Sequence, residues 1–399
     1  MKSDPVPAAH QAPSDYKILG LGTIVVDHVA EVRSLPEPDS KTDILSSHYQ
    51  VGGPVVTALA LLSKWGYPTS FIGCWSTDEL GERIEEDLMK SQIQSGFASV
   101  HPSHQSGHAH VWVEASTGRR SIAAFRGRGS LDWAELEHLS WSEWKALHLD
   151  GSHGEVATLA AREMKKHGGI VTMDLGSPKP NLPKLLEHVD ALQCPAGLLT
   201  QLYPDQSDIE AARCLLDLGP REITVTMGSE GALWLNHKEQ LHQKALPIEA
   251  VDTNGAGDVF AGASMHARYQ GWPPEHRLKF ASACSALKCQ HWGNREALPV
   301  LPEVIRTLPT VEEPIIWGLL QAPCPVGSAD HDSSIKTEVF CLWRPCLRDS
   351  ANDMVLETAV AGGATRIVTF NKSDFAGTVK FGLKLLTPDK FLAEIGEEP

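Results

Sequence analysis

Apolar residues along the chain recur in two alternating patterns, and this alternation predicts the fold. From about Tyr16 onwards, short runs rich in Val, Ile and Leu are each followed by a loop and then by a stretch with helical spacing. Strands that alternate with helices favour an α/β fold, with a mostly parallel sheet and helices on both faces. The predicted strands cover residues 17–26, 71–74, 146–149, 170–174 and 223–227, and the predicted helices cover residues 55–65 and 78–89.

A second pattern, in which apolar and polar positions alternate, marks residues 108–114 and 120–125. This period is typical of strands, and the Thr117-Gly118 pair between the two segments is typical of a tight turn. The sequence therefore predicts an antiparallel hairpin at this point in the chain.

Composition divides the chain into four parts. Residues 1–15 are Pro, Ala and polar residues without an apolar segment, which predicts a flexible tail rather than a signal peptide. Residues 16–308 carry the α/β pattern. Residues 309–334 are dominated by Pro, Ser, Gly and Asp around one short apolar piece, so we expect a linker there. Residues 335–399 follow as a small α/β module.

The chain is acidic, and it lacks the zinc motifs C-x-x-C and H-E-x-x-H. A net charge of −15 and an isoelectric point near 5.6 argue against nucleic acid or an anionic membrane as the main partner. None of the eight cysteines forms a C-x-x-C pair, and none of the 18 histidines belongs to an H-E-x-x-H motif. Because reduced thiols are expected and no apolar run reaches membrane-spanning length, we predict a cytoplasmic protein.

The most distinctive run of the chain extends from Val251 to Gly262. Within it, the turn Gly255-Ala256-Gly257 leads directly through Asp258 into a helix of small residues. Converging backbone N–H groups at a helix start suit a developing phosphoryl charge, and Asp258 is placed to take a proton from an attacking hydroxyl. The alternative is an ordinary loop-to-helix junction that Asp258 caps.

This run resembles the D-T-x-G-A-G-D signature of the ribokinase-like, or PfkB, carbohydrate kinases. Gly20-Leu21-Gly22, Asp27 and the pair Gly52-Gly53 are similar to the N-terminal pattern of that family, so the resemblance covers about residues 16–308. It implies a ribokinase-like fold with a small β lid, and in-line transfer of a phosphoryl group from ATP to a sugar hydroxyl. The implied catalytic residues are Asp258, Gly255, Ala256 and Gly257, and the implied substrate-binding residues are Asp27, Gly52, Gly53, Asp150 and Asp252. By itself Asp27 is equally compatible with a helix or turn cap, and Pro54 stands where the family usually has Asn.

The resemblance also implies a nucleotide site that binds ATP with Mg²⁺, and it leaves room for a monovalent cation. Its residues are Thr226, Gly228, Gly231, Cys289 and Gly293. Many family members carry an N-x-x-E pair that orders Mg²⁺, but the matching segment from Leu192 to Gly197 contains no carboxylate. The metal ligands therefore stay unknown, although Mg²⁺ needs few protein ligands when it bridges phosphates.

Within the family, the chain is most similar in these motifs to ketohexokinase and sulfofructose kinase. The similarity rests on Asp150-Gly151 after a strand and on Asp174 followed by Pro178. Lys41 stands where the sulfofructose-type kinases have a lysine near the acidic end of the substrate, and the alternative is a solvated surface lysine. Arg126 and Arg128, after the hairpin, are further candidates for binding an anionic substrate or the phosphates, and they are equally compatible with surface charges.

The C-terminal module resembles a different family over about residues 335–395, namely the C-terminal half of a PIN domain. Strands are predicted at 335–342, 366–370 and 381–386, and a helix at 353–361. Asp353, Asn371 and Asp374 match positions that hold divalent metal for RNA cleavage in that family. The first half of the domain is absent and the tail is acidic, so we interpret it as a structural remnant or an interaction module.

The leading hypothesis is thus an ATP-dependent kinase of a small sugar, such as a ketose. The alternatives are a nucleoside kinase of the same fold and a non-catalytic sensor of sugar or nucleotide, while a PIN-type ribonuclease is disfavoured. The family resemblance further implies a homodimer formed through the hairpin lid.

Overall fold

The computed structural model describes residues 15–117 and 119–308, together with three short strands beyond them. The strands are β1 (Lys17–Leu21), β2 (Val25–Val32), β3 (Ile44–Gly52), β4 (Thr69–Ile72), β5 (Cys74–Trp75), β6 (Ile93–Gln94), β7 (Ser99–Val100), β8 (Gly107–Glu114), β9 (Arg120–Phe125), β10 (Trp144–Leu149), β11 (Ile170–Asp174), β12 (Ala191–Pro195), β13 (Glu222–Thr226), β14 (Ala232–Leu235), β15 (Glu239–Gln243), β16 (Ile315–Gly318), β17 (Arg366–Val368) and β18 (Lys384–Leu386). The helices are α1 (Pro54–Lys64), α2 (Glu79–Lys90), α3 (Trp133–Leu136), α4 (Gly154–Lys166), α5 (Leu182–Leu186), α6 (Ala196–Leu202), α7 (Asp208–Leu216), α8 (Ala256–Tyr269), α9 (Pro274–Cys289) and α10 (Leu301–Thr307), with 3₁₀ turns at Trp141–Glu143 and Gly228–Glu230.

The central sheet has the strand order β16-β15-β14-β13-β12-β11-β10-β1-β4-β6. Its strands run parallel from β13 to β6, which confirms the predicted mostly parallel sheet. Strands β14 and β15 were not predicted from the sequence: β14 pairs antiparallel with β13, and β15 pairs antiparallel with β14. Only antiparallel neighbours can be joined by connections this short. Asn236 supports one of them, since its side-chain oxygen accepts from the amides of Lys238 and Glu239 at 2.7 Å each.

A separate sheet of four strands, ordered β3-β2-β8-β9, forms the lid. The predicted hairpin is confirmed as β8 and β9, which pair antiparallel with His108 opposite Phe125; Gly118 of the predicted turn lies outside the described residues.

The prediction of one strand over residues 17–26 is wrong. Strand β1 ends at Leu21, and the chain then enters the lid as β2. The backbone amide of Thr23 donates to Oδ2 of Asp150 at 2.8 Å, and this distant contact redirects the chain between the two strands. Asp27 consequently lies in a lid strand and not at the end of a strand of the central sheet.

Helices cover both faces of the central sheet, and each face has its own apolar core. One core contains α1, α8 and α9, with fully buried side chains such as Leu59, Val259 and Phe280. The other contains α4 to α7, with Ala160 and Leu215. Burial of each large side chain contributes about 1.5–3 kcal/mol. The predicted helices at 55–65 and 78–89 are confirmed as α1 and α2, and Asp78 caps α2 by accepting from the Gly81 amide at 2.8 Å.

The chain separates into two compact units, one spanning Val6–Leu320 and the other containing Gln321–Pro399. In the second unit, β17 and β18 pair in parallel with Ile367 opposite Leu385, at the positions of two predicted strands. The positions matched to PIN-domain metal ligands, Asp353, Asn371 and Asp374, lie outside the described residues, so that resemblance stays a prediction.

The predicted linker, residues 309–334, contains a strand. Its short apolar piece forms β16, which pairs antiparallel with β15 and places Ile316 opposite Leu241. The domain boundaries themselves stay predictions. Within the described part of the chain, no helix is long and apolar enough to cross a membrane, and the described cysteines are free.

Candidate active site

A glycine turn at the start of α8 forms the centre of the candidate site. Gly255 precedes the helix with φ 73°, a conformation that favours glycine, and Ala256, Gly257 and Asp258 make up the first turn. The first amides of a helix have no acceptor within it, and the positive end of the helix dipole adds to their field. This is the local structure that the sequence predicts for Gly255, Ala256 and Gly257.

This turn lines a cleft of about 840 Å³ between the sheet, α8 and α9. The cleft also brings in predicted nucleotide residues from elsewhere in the chain: Thr226, Gly228, Gly231 and Cys289. Thr226 ends β13, and the turn after it needs glycine, since Gly228 has φ 57° and Gly231 has φ 100°. Leu246, Pro247, Ile248 and Ala286 make one part of the cleft apolar, as a planar base requires.

Asp258 is a partly buried carboxylate surrounded by cationic side chains. Burial raises its pKa, while the charges of Arg120, Arg295 and Lys288 act in the opposite direction. The hydroxyl of Thr57 on α1 is a hydrogen-bond partner of Asp258 and also accepts from Arg295 at 3.2 Å. A carboxylate with a raised pKa that lines a cleft beside helix amides is suited to general base catalysis.

Asp27 lies close to Asp258, although the two residues come from the lid and from α8. It is 8% exposed, and burial together with the negative charge of Asp258 raises its pKa to about 6. Gly52 in β3 pairs with Val25, and a Cβ atom at Gly52 would overlap the Asp27 carboxylate. Gly53 has φ 126° at the start of α1, and Pro54 occupies the first helical turn, where a missing N–H costs little. The structure thus brings Asp27, Gly52 and Gly53 together beside Asp258.

Two predicted substrate residues are instead held by the backbone. Asp150 uses one carboxylate oxygen for the Thr23 amide and the other for the Ser152 amide, each at 2.8 Å. Asp252 accepts from the amides of Asn254 at 2.8 Å and Gly293 at 3.1 Å, and it pairs with Lys288. Both carboxylates are buried, and the amides that they accept from shape the surrounding loops; their contact with substrate stays a prediction.

Four further candidate residues, Gly293, Lys41, Arg126 and Arg128, lie outside the lining of this cleft. Gly293 does not line the nucleotide cleft; it lies in the loop after α9 with φ 92°, where its amide binds Asp252. Lys41 is exposed in the connection between β2 and β3 and does not line the cleft. This position agrees with the alternative interpretation of Lys41 as a solvated surface lysine. Arg126 and Arg128 also do not line it.

Two polar residues that were not predicted from the sequence contact the glycine turn or the loop that leads to it. Arg120 extends from lid strand β9 into the cleft and donates to the Thr253 hydroxyl at 3.0 Å. Gln193 on β12 donates to the Gly257 carbonyl at 2.9 Å. Their sequence separations from these partners are 133 and 64 residues, so local patterns carried no signal for either contact.

The site residues are compatible with Mg²⁺ that is held mainly by a nucleotide. The described residues contain no group of three or more His, Cys, Asp or Glu arranged to hold a metal. Asp174 ends β11, lines the cleft beside Gln193 and is 7% exposed; burial and then the charge of Asp258 raise its pKa well above the usual range. One carboxylate together with phosphate oxygens and water is an ordinary Mg²⁺ environment.

Comparison with known proteins places this arrangement in a family. The family model described as pfkB family carbohydrate kinase matches residues 16–301. A ribokinase from Arabidopsis thaliana is 27% identical over 321 residues, which cover 75% of this chain and 82% of that protein. A deoxyribokinase from Salmonella typhi is 26% identical over 298 residues, or 71% of this chain and 95% of that protein.

A solved structure agrees with the sequence comparison. The structure of Arabidopsis thaliana ribokinase complexed with ribose and ATP matches with a TM-score of 0.64 and 25% identity, over 73% of this chain and 98% of that chain. These relatives are named for ribose and deoxyribose, so the expected likeness to ketohexokinase and sulfofructose kinase is replaced by a likeness to ribokinases.

Proposed function

Because the chain belongs to the pfkB family of carbohydrate kinases, we propose that it transfers a phosphoryl group from ATP to a hydroxyl of a pentose, with ribose as the first candidate. The observation that carries the proposal is the position of Asp258, on the first turn of α8 in the cleft and beside Asp27. The ketose expected from the sequence and a nucleoside remain acceptors to be tested alongside ribose.

In this proposal the lid binds the sugar, and the start of α8 carries out the phosphoryl transfer. Asp27 accepts hydrogen bonds from sugar hydroxyls, and the absence of side chains at Gly52 and Gly53 lets the sugar approach the backbone. Asp258 takes the proton of the attacking hydroxyl as that oxygen bonds to the γ-phosphorus and the bond to the β-phosphate oxygen breaks, which releases ADP. The amides at the start of α8 and the guanidinium of Arg120 stabilise the charge on the transferring group.

Asp174 is the residue that we assign to Mg²⁺, together with the nucleotide phosphates. When bound, the ion would neutralise part of the negative charge of the phosphates. Gln193 donates to the Gly257 carbonyl and in this way holds the first turn of α8 against β12.

The lid carries exposed apolar side chains that support the expected homodimer. Ile44, Leu45 and Tyr49 on β3 and Ile122 on β9 are all exposed. Apolar patches of this kind are common at protein interfaces, and light scattering of the full chain would measure the oligomeric state.

The test is ATP consumption with Mg²⁺ and a panel of ribose, deoxyribose, ketoses and nucleosides. We expect turnover on one acceptor and its loss by at least about a thousandfold in Asp258→Asn, since the base is removed while shape and nucleotide binding are kept. Asp205→Asn, an exposed carboxylate between α6 and α7, is the matched control and should keep full activity.

Two outcomes would contradict the proposal. If Asp258→Asn keeps more than a few per cent of the rate, Asp258 is not the base. If no acceptor on the panel is phosphorylated while ATP or a sugar still raises the melting temperature, the chain acts as a sensor.

A further inference from the structure

A fully buried ammonium group lies behind the glycine turn. Lys288 is in the last turn of α9 and is 0% exposed. Its Nζ donates to the main-chain carbonyl of Asp252 at 2.9 Å and to the Asp252 carboxylate at 3.2 Å. A lysine is almost never fully buried unless it is paired, because desolvation of the charge is costly.

The partner of this ammonium organises the loop that leads to the active site. The Asp252 carboxylate also accepts from the amides of Asn254 and Gly293. The amides of Val251 and Asp252 both donate to the carbonyl of Cys289, at 2.8 and 3.1 Å. Residues 251–254 are therefore fastened to the end of α9, and the turn that begins at Gly255 follows directly from them.

Lys288 acts on this loop from outside the nucleotide cleft. The cleft is lined by Gly255 to Asp258 and by Cys289, but not by Lys288. The ammonium therefore touches neither nucleotide nor sugar, and its direct contacts are with Asp252 alone among the hydrogen bonds found for the described residues. Its charge nevertheless reaches Asp258, where it opposes the effect of burial.

A carboxylate oxygen and a carbonyl oxygen that converge beside a phosphate-binding loop are donors that suit a monovalent cation. The family resemblance leaves room for such an ion, but here both oxygens face the ammonium of Lys288. An ammonium carries the same single charge and presents three donors to such oxygens. The residues present at Asp252 thus do not fit an additional cation.

We infer that Lys288 is a positioning residue that supplies a built-in monovalent charge to the phosphate-binding loop, so that this enzyme does not depend on potassium or another monovalent cation. The inference rests on the proposed kinase activity for its kinetic test, whereas its structural test needs no substrate.

The kinetic test compares chloride salts of potassium, sodium, ammonium and tetramethylammonium at constant ionic strength, with Mg²⁺, ATP and ribose. We expect the unmodified chain to vary by less than about twofold, because the charge is already part of the protein. Lys288→Ala removes the ammonium and leaves space beside the Asp252 oxygens. It should lose at least about tenfold in kcat in tetramethylammonium and regain most of it in potassium or ammonium.

Lys288→Met is the matched control, because it removes the charge but fills the space. It should lose activity to a similar extent and gain little from any salt. Melting temperatures provide the second readout. Potassium should stabilise Lys288→Ala relative to tetramethylammonium, and it should not do so for the unmodified chain or for Lys288→Met.

Several results would overturn the inference. Stimulation of the unmodified chain by potassium beyond about twofold would show that a separate cation is needed, even if Lys288→Ala fails to fold. A Lys288→Ala protein that folds but responds to no cation in rate or melting temperature would show that Lys288 is only a packing residue. If no sugar is phosphorylated, the melting data still decide the inference, so its failure is distinguishable from failure of the proposed function.

Discussion

Arg120 offers a sharp test of the active-site geometry, because its neighbour in the sequence provides a control. Arg120 reaches Thr253 in the loop that leads to the glycine turn, and its charge acts on both Asp258 and Asp27. Arg119 points elsewhere and pairs with Glu114 at 3.1 Å near the tip of the lid. We predict that Arg120→Met slows phosphoryl transfer and that Arg119→Met does not.

The expected magnitude follows from the exposure of Arg120. A donor that stabilises transition-state charge in a closed site contributes about 2.7–4 kcal/mol. Arg120 is exposed to solvent, which screens its charge, so a smaller effect is expected. We expect a loss of about tenfold to a hundredfold in kcat, which corresponds to roughly 1.4–2.7 kcal/mol. The free energy of unfolding should change by less than about 0.5 kcal/mol, as for most exposed positions.

The assay is steady-state kinetics of both variants with ATP and the best acceptor from the panel, together with urea unfolding. The loss should appear in kcat. The difference in kcat between the unmodified chain and Arg120→Met should become smaller as the salt concentration rises, because salt screens the charge of Arg120. An Arg120→Met variant within about threefold of the original kcat, with the enzyme saturated, would refute a role of the lid arginine in the transition state. Equal losses in Arg119→Met would point instead to a general defect of the lid.

Asp27→Asn should raise the melting temperature at pH 7.5 while it lowers turnover. The pKa of Asp27 is raised to about 6, so the folded state holds this proton more tightly than the unfolded state does. Above that pH the ionised carboxylate therefore lowers the free energy of unfolding. Asn cannot ionise, and it should recover up to about 1–3 kcal/mol of that free energy. Stability of the unmodified chain should correspondingly increase as pH falls from 7.5 towards 5.5, and an unchanged melting temperature in Asp27→Asn would contradict the assignment. Far from the cleft, Glu222 receives two hydrogen bonds from Arg277 at 2.9 Å and also pairs with Arg268. Glu222→Ala should cost about 3–5 kcal/mol in urea unfolding because it leaves buried cations unpaired, and a loss below about 1 kcal/mol would show that this cluster is solvated.

The sequence was sufficient for features that depend on neighbouring residues. The glycine turn ahead of Asp258 forms because Gly255 can adopt positive φ and the small residues after it continue as a helix. The start of α1 at Gly53-Pro54 and the hairpin of β8 and β9 follow equally local rules. These features also carry the family resemblance, so the kinase class was predictable from the sequence.

Tertiary structure decided how the carboxylates are used and where the apolar run at residues 17–26 breaks. Thr23 and Asp150 are 127 residues apart, and their contact both ends β1 and occupies a carboxylate that the sequence had assigned to substrate. Asp252 is similarly occupied by Lys288, 36 residues away and on the far end of a helix. A sequence pattern shows that a carboxylate is present, but the partner that satisfies it is brought by the fold. A buried charge must be paired, and only the packing of distant elements determines with what.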